Sequence, residues 1–509
     1  MISRFWLLAS AFGLTFGFFQ CTKSPQDVAQ YAPLAQQHCG GCHQYADPAL
    51  LPRLTWQNDV LPYMALRMGR DEDLKAKLNV RELSANDLRY KPAQALVSVD
   101  DWEKIKAYYL AKAPEKLTPV PVANPPASIL GLFEVRNAKL PSQQLPNVTC
   151  VKIDPLNQLV YAADEVNRAV WAVDATGSPK QRFGDQPAVS DLQFLDKAHR
   201  RLLVTYIGET VKVTFQKNGY AQVVDLDNKG ASNLLLTQLY RPTQTLEADF
   251  DNDKVPELLT AEFGVIEGKL SVWKKQNAKY TETILTATPG AVRSVLVDWN
   301  KDGLLDILTL FSQSDERVVL YLNKGKLIFE EKTLLRFPPV YGSSYFDLAD
   351  LNADGQLDIV YTCGDNADYS TVFKPYHGVY VFENQGKNMF KQKLFYAMNG
   401  AYKVLPRDVD LDGDFDLMAI AFYDDPAQTP EANVLYFSND NGTFKPYTIP
   451  IGRSGRWLSL DAADLDHDGD VDFALGSHPL GLTAGTLRKE WANSTGLTIL
   501  INQAAQLKK

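Results

Sequence analysis

The chain has 509 residues, 45% of them hydrophobic and 22% charged, with a formal net charge of −9. That length exceeds one ordinary core and calls for several domains or one long repeat array. The acidic balance argues against a nucleic-acid partner, and five cysteines are too few for a dense disulfide framework.

The first segment, MISRFWLLASAFGLTFGFFQC (1–21), has Arg4 near its start and an uncharged apolar run from Phe5 to Phe19. The run is shorter than the roughly 20 residues of a spanning helix and reads as an export signal. Cys21 follows directly, and polar sequence follows Cys21. The segment resembles a bacterial lipoprotein signal, in which the cysteine is lipidated and becomes the new N-terminus, although Gln20 stands where a small residue is usual. The expectation is an extracytoplasmic protein, in the periplasm or on the outer membrane or cell surface of a bacterium. It would touch membrane only through a lipid anchor at Cys21, since no later segment looks transmembrane.

Residues 22–116 carry helical patterning. In VSVDDWEKIKAYYLAKAPEKL, Trp102, Ile105, Tyr108 and Tyr109 recur at three-to-four spacing, and Asp100 and Asp101 stand at the helix start. Between the helices, QQHCGGCHQYADP (36–48) holds Cys39, Cys42 and His43 as C-x-x-C-H. This pattern reads as covalent attachment of a c-type haem, with two thiols for the vinyl groups and the adjacent His for the iron. A redox C-x-x-C would need a βαβ setting, and a tetrahedral zinc site would need two more ligands where only His38 is near. The sixth iron ligand is expected to be Met, as in cytochromes c, because no other His lies in this region. Met64 and Met68 are the candidates. Met64 is preferred because Pro62 is expected to break the helix just before it; Met68 and an open site remain the alternatives. Residues 24–116 resemble a monohaem class I cytochrome c, in its helix, C-G-G-C-H, Met-bearing segment and aromatic C-terminal helix.

TPVPVANPPAS (118–128) reads as an extended, semi-rigid linker within residues 117–128. From residue 129 to 509 the pattern is all-β: VWAV, LLVTYI, LSVWKK, RVVLYLN, GVYVFEN, NVLYFSN and LTILIN alternate with Gly, Asn and Asp clusters. An Asp-rich segment followed by a strand recurs five times, its first carboxylates at Asp249, Asp298, Asp350, Asp408 and Asp464. That spacing suits four-stranded propeller blades. Two degenerate copies, at 151–174 and 189–208, bring the expected number of blades to seven. The strand LTILIN is expected to pair with the first blade and close the ring, which removes an exposed sheet edge.

Each clear repeat reads D-x-[DN]-x-D-G-x-x-[DE]. The candidate ligand sets are Asp249, Asp251, Asp253 and Glu257; Asp298, Asn300, Asp302 and Asp306; Asp350, Asn352, Asp354 and Asp358; Asp408, Asp410, Asp412 and Asp416; and Asp464, Asp466, Asp468 and Asp472. Oxygen ligands at alternate positions of a tight loop suit Ca²⁺, up to five ions, with a structural rather than a chemical role. Position 6 is Gly in four loops and Lys254 in the first, which makes the first site the weakest. These repeats resemble the FG-GAP, or VCBS, repeats of integrin-α-like propellers over about residues 129–504. The resemblance implies a seven-bladed propeller with Ca²⁺ near one rim, and a role in adhesion or in contact with protein or polysaccharide.

The expected fold is therefore multidomain, a small all-α cytochrome c domain followed by an all-β seven-bladed propeller, and the layout resembles exported bacterial fusions of that kind. The expected function is electron transfer, with a haem relay joined to a propeller that binds a redox partner protein or a surface glycan. A redox enzyme acting on the propeller, or an adhesion protein, are the alternatives; no nucleophile–base cluster stands out. His199, His377 and His478 are candidates for a common rim, FPPVYGSSYFD (337–347) and YDDPAQTPEAN (423–433) for a binding rim or for blade packing, and Arg293 for a simple pair with an Asp.

Overall fold

The computed structural model describes residues 28–508 except 121–125, 130, 185–187, 209–215, 229–230, 265, 278, 367–371, 425–430 and 480–490. The proposed signal segment and Cys21 lie outside the described residues.

Short β-branched and aromatic runs, interrupted by turn residues, fold into seven antiparallel sheets. In chain order, blades 1 to 6 begin with the innermost strands Val148–Asp154, Ala188–Phe194, Pro242–Ala248, Ala291–Val297, Ser343–Ala349 and Ala401–Arg407. Each is followed outward by three more strands. Blade 7 begins with Trp457–Ala463, and its outermost strand is Phe133–Lys139 from the other end of the propeller sequence. That strand pairs antiparallel with Gly496–Asn502 over its whole length, from Phe133 opposite Asn502 to Lys139 opposite Gly496. The ring is thus closed as expected by LTILIN meeting the first propeller strand, but that strand belongs to the last blade, not to blade 1. The end of the Pro-rich linker is also taken into the sheet: Ala127–Ser128 adds a fifth, parallel strand to blade 6 beside Tyr447 and Thr448.

Six innermost strands have their register shift at the second residue, Thr149, Thr243, Val292, Ser344, Tyr402 and Leu458, and that of blade 2 shifts across Val189 and Ser190. A bulge leaves one residue unpaired and turns the strand more sharply, so each blade bends at the same level around the axis. The bulged residues also join neighbours. Thr149 donates to Val189 O at 2.7 Å, Ser190 to Pro242 O at 2.9 Å, Thr243 to Ala291 O at 3.0 Å and Ser344 to Ala401 O at 3.0 Å. Blade 4 uses Arg293 Nε on Phe346 O at 2.8 Å instead.

Residues 28–113 are helical and pack around Ala35, Leu51, Trp56, Val60, Leu61, Trp102, Ile105 and Tyr109. The helix Val99–Lys112 starts where Ser98 accepts a hydrogen bond from Asp101 N at 3.0 Å, a standard N-cap. Its buried face is Trp102, Ile105, Tyr108 and Tyr109. Buried polar tips are satisfied: Trp56 Nε1 donates to Pro48 O at 2.8 Å, Trp102 Nε1 to Asp73 at 2.7 Å and Tyr109 OH to Ala46 O at 2.7 Å. Pro62 does not break the chain here. It stands in the first turn of the helix Leu61–Arg67, where a missing N–H costs nothing, and a π-helical turn, Trp56–Val60, leads into it.

The helices rest on one face of the ring. Arg89 pairs with Glu267 at 2.7 Å, Tyr376 OH donates to Leu50 O at 3.1 Å, and Val340 packs into the helical core. All three propeller residues lie in connections between the second and third strands or between blades. The Asp-rich loops connect first to second strands, so the alternation of antiparallel strands puts them on the opposite face. Among the described residues no helix is long and apolar enough to cross a membrane.

Candidate functional site

Each Asp-rich loop spans from the end of an innermost strand to the start of the next strand, in blades 3 to 7. The ninth position, Glu257, Asp306, Asp358, Asp416 or Asp472, is the first residue of that second strand and is fully buried. Its carboxylate accepts from the backbone N–H of loop position 2: Phe250, Trp299, Leu351, Val409 and Leu465, at 2.7–3.0 Å. In blades 4 to 7 its other oxygen accepts from the N–H of an Asn at the end of the third strand, Asn323, Asn384 or Asn502, or one residue before it, Asn439, at 2.7–2.9 Å. That Asn side chain then donates to the loop carbonyl just before the ninth position, at 3.0–3.3 Å.

Two backbone positions per loop are left-handed. Position 6 has φ of 86°, 83°, 100° and 99° at Gly303, Gly355, Gly413 and Gly469, and 70° at Lys254. Position 4 also has positive φ at Asn252, Lys301, Ala353, Leu411 and His467. These twists aim positions 1, 3 and 9 inward. Ligand oxygens of Asp249, Asp251 and Glu257, of Asp408, Asp410 and Asp416, and of Asp464, Asp466 and Asp472 each lie within 4.8 Å of one another. In blades 4 and 5 position 3 is an amide, and Asn300 and Asn352 donate to Asp302 and Asp354 at 2.8 and 3.2 Å.

The loops differ in what balances this charge. In blade 3 the chain supplies the cation: Lys274 Nζ lies 2.7 Å from Asp253 Oδ2 and 3.4 Å from Glu257 Oε1, and bonds Asp251 Oδ2 as well. In the corresponding loops of the degenerate blades Arg201 lies 3.3 Å from Asp196, and His199 Nδ1 hydrogen-bonds Asp154 Oδ1 at 2.7 Å. In blades 4 to 7, among the described residues, no Lys, Arg or His forms an ion pair with a loop carboxylate. In blades 6 and 7, Asp408 Oδ1, Asp466 Oδ1 and Asp468 Oδ2 are buried acceptors without a hydrogen-bond donor, as is Asp251 Oδ1 in blade 3. Burial pushes Asp416 and Asp472 up to about 7. Orphaned buried acceptors cost free energy unless a cation meets them, so the oxygen-only donor set fits Ca²⁺.

On the opposite face, Cys39 ends the helix Ala32–Cys39, Cys42 lies in the following turn and His43 just beyond. Both thiols are free. Burial raises the Cys39 thiol, offset in part by a hydrogen bond with Tyr109, so this is not the activated thiolate of a redox motif. His43 Nδ1 engages Gln44 O at 2.8 Å, which fixes the tautomer and leaves Nε2 as the coordinating atom. Burial holds the imidazole below its ordinary pKa, in the neutral form a metal takes. Met64, within the helix Leu61–Arg67 rather than on a bend, and Met68, at its end, are half-buried and pack against the same cluster as Cys39. These residues fit a covalently held haem, with either Met on the neighbouring helix.

The five Asp loops fall where one family recognises its own pattern. The FG-GAP-like repeat family matches residues 249–309, 298–361 and 408–475. The chain carries FG-GAP-like repeats. These FG-GAP-like repeats form blades 3 to 7 of the seven-bladed propeller. No curated protein matches the chain. Among solved structures it is similar to the N-terminal domain of Nup159, with TM-score 0.44 and 12% identity over 74% of this chain and 97% of that one. It is also similar to Kuenenia stuttgartiensis hydrazine synthase, with TM-score 0.44 and 11% identity over 66% and 94%.

The remaining candidates scatter. His199 stands on the Asp-loop face, whereas His377 and His478 follow second strands and lie on the helix-bearing face, so the three share no rim. His467 is exposed and bonds Pro155 O. Cys150 and Cys363 are unpaired, in blades 1 and 5. Phe337 and Tyr341 are packing residues: Phe337 stacks on Tyr361 at 4.3 Å and Tyr341 on Tyr376 at 4.6 Å. Most of the 423–433 loop lies outside the described residues. Two functional positions escaped sequence reasoning. Lys274 could have been found, because LSVWKK has Lys-Lys where four other third strands end in Asn. The left-handed position 4 has no fixed residue type and left no signal.

Proposed function

We propose that this chain is an extracytoplasmic electron-transfer protein. In this reading a c-type haem is bound through Cys39, Cys42 and His43, with Met64 as the preferred sixth ligand and Met68 the alternative, on the helical segment. The propeller, braced by Ca²⁺, binds a redox partner protein or a surface glycan. When bound, the haem supplies one-electron chemistry. The protein's residues would hold it: His43 is fixed by Gln44 O, and Cys39 packs against the helical core. The observation that carries the reading is the C-x-x-C-H at a helix end with two free thiols and a neutral, oriented His43. A cytochrome c-like domain and a lipid anchor at Cys21 belong to the same proposal.

The deciding experiment is expression with the c-type maturation machinery. A c-type α-band after dithionite reduction, and a mass raised by one covalent haem that survives denaturation, are expected. A chain that matures without haem overturns the proposal. A second reading is substrate oxidation on the propeller with electrons passed to the haem, since the helices rest directly on one face of the ring, where Arg89 pairs with Glu267 at 2.7 Å.

A further inference from the structure

A cavity of about 110 Å³ lies between blades 1 and 2. Blade 1 leaves the space because its residues there are small: Ala163, Ala169 and Gly184 line it. Blade 2 supplies the other wall. Leu202, Val204 and Tyr206 alternate along its second strand and so share a face. Gln222 and Val224 stand beside them on the third strand, opposite Val204 and Leu202. Val170 and Phe183 complete an apolar lining. The space opens where Arg168, Gly184 and Ser232 are exposed. An apolar cavity of about 150 Å³ holds benzene, so a single ring is the largest body that fits here.

Two polar side chains interrupt the apolar wall. Tyr206 and Gln222 are both more than nine-tenths buried, and Gln222 Nε2 donates to Tyr206 OH at 2.8 Å. Among the described residues, the Tyr206 hydroxyl proton then has no acceptor and Gln222 Oε1 no donor. Turning the amide over still leaves the pair a donor and an acceptor to spare. Buried groups of this kind are costly unless a partner meets them. The carboxylates at the edge of the cavity are engaged elsewhere. Asp164 accepts from Ser142 Oγ at 3.0 Å and Asn167 Nδ2 at 2.7 Å, and Glu165 meets His478 Nε2 at 2.9 Å. They outnumber Arg168 at that edge, which disfavours an anion. A hydroxyl is donor and acceptor at once, and Phe183 and the Tyr206–Tyr220 stack, with centroids 4.4 Å apart, offer aromatic contacts. We propose that this cavity binds a small neutral phenol, its hydroxyl donating to Gln222 Oε1 and accepting from Tyr206 OH, its ring among the apolar side chains. A lone water would bond the same pair but leave the apolar walls without contacts. The site is independent of the haem and of the Asp loops.

Calorimetry on the full chain tests this, with phenol as the ligand, benzene as the ring without the hydroxyl and benzoate as the anion. Phenol is expected to bind one to one, at least about tenfold tighter than benzene or benzoate. Tyr206→Phe and Gln222→Leu should each weaken phenol by about five- to tenfold and leave benzene within about twofold. Retained benzene binding, with far-UV dichroism unchanged, shows that the cavity is intact. Gln222→Met, of nearly equal length, replaces Gln222→Leu if that variant fails to fold. The proposal is overturned if phenol does not bind, if benzene or benzoate binds as tightly as phenol, or if either folded variant binds phenol like the wild type. Haem content has no bearing on any of these outcomes, so this test and that of the proposed function fail separately.

Discussion

Lys274 Nζ lies 2.7 Å from Asp253 Oδ2, inside the loop whose four counterparts hold no such cation. An ammonium is a compact point charge with three donors, and here it stands among three carboxylates where a divalent ion would otherwise sit. Calcium titration by calorimetry should therefore give four sites, not five. Lys274→Gln should raise the count to five and make the melting temperature more dependent on calcium. A wild-type count of five would show that Lys274 yields to the ion.

The metal-free protein should lose stability as pH rises. Asp416 and Asp472 have folded values near 7, against an ordinary carboxyl near 4. The folded state therefore binds more protons than the unfolded state between about pH 4 and 7, and unfolding free energy falls across that window. In EDTA, the melting temperature should be higher at pH 5 than at pH 7.5. Saturating calcium should reverse that order, because it binds only the ionised, folded loops.

Replacing Met64 by Ala in haem-loaded protein should lower the reduction potential, since a Met ligand raises it. Potentiometry checks this. An unchanged potential transfers the ligand to Met68 or to an open site, and Met68→Ala then discriminates. His43→Ala should abolish the low-spin spectrum.

Asn439 is almost fully buried and joins three elements, through Asp416, Phe415 O and Gly442 N. Asn439→Ala removes the side-chain bonds and orphans a carbonyl and an N–H. The expected loss is about 1–3 kcal/mol, measurable by urea unfolding. It should appear with and without calcium, because the backbone bond to Asp416 survives the substitution.

Much of the propeller was legible because repetition turns weak signals into strong ones. One Asp-rich turn means little; five, each followed by a strand, define a blade period. The Asn that ends RVVLYLN, GVYVFEN, NVLYFSN and LTILIN was equally visible, but its role is tertiary: it reaches a carboxylate 17 to 30 residues earlier in the chain. Pro62 misled for a local reason, since Pro breaks a helix interior but suits its first turn. The cross-blade pair of Lys152 with Asp461 had no sequence signature, because it depends on closure of the ring and not on any one strand. Arg293 illustrates this: it does pair with Asp347, but that Asp belongs to the next blade, which Arg293 also holds through Phe346 O.

The strand that closes the ring has a temporal meaning. Phe133–Lys139 is made before all seven innermost strands and its partner, Gly496–Asn502, after them, so Phe133 must wait for Asn502 across almost the whole propeller. Contacts of such separation are slow to form. While the chain is being made, six blades can assemble but the circle stays open, with two unsatisfied sheet edges presented to neighbouring chains. The later-made strand, Gly496–Asn502, thus acts as the clasp, and truncation before it leaves an aggregation-prone horseshoe rather than a smaller propeller.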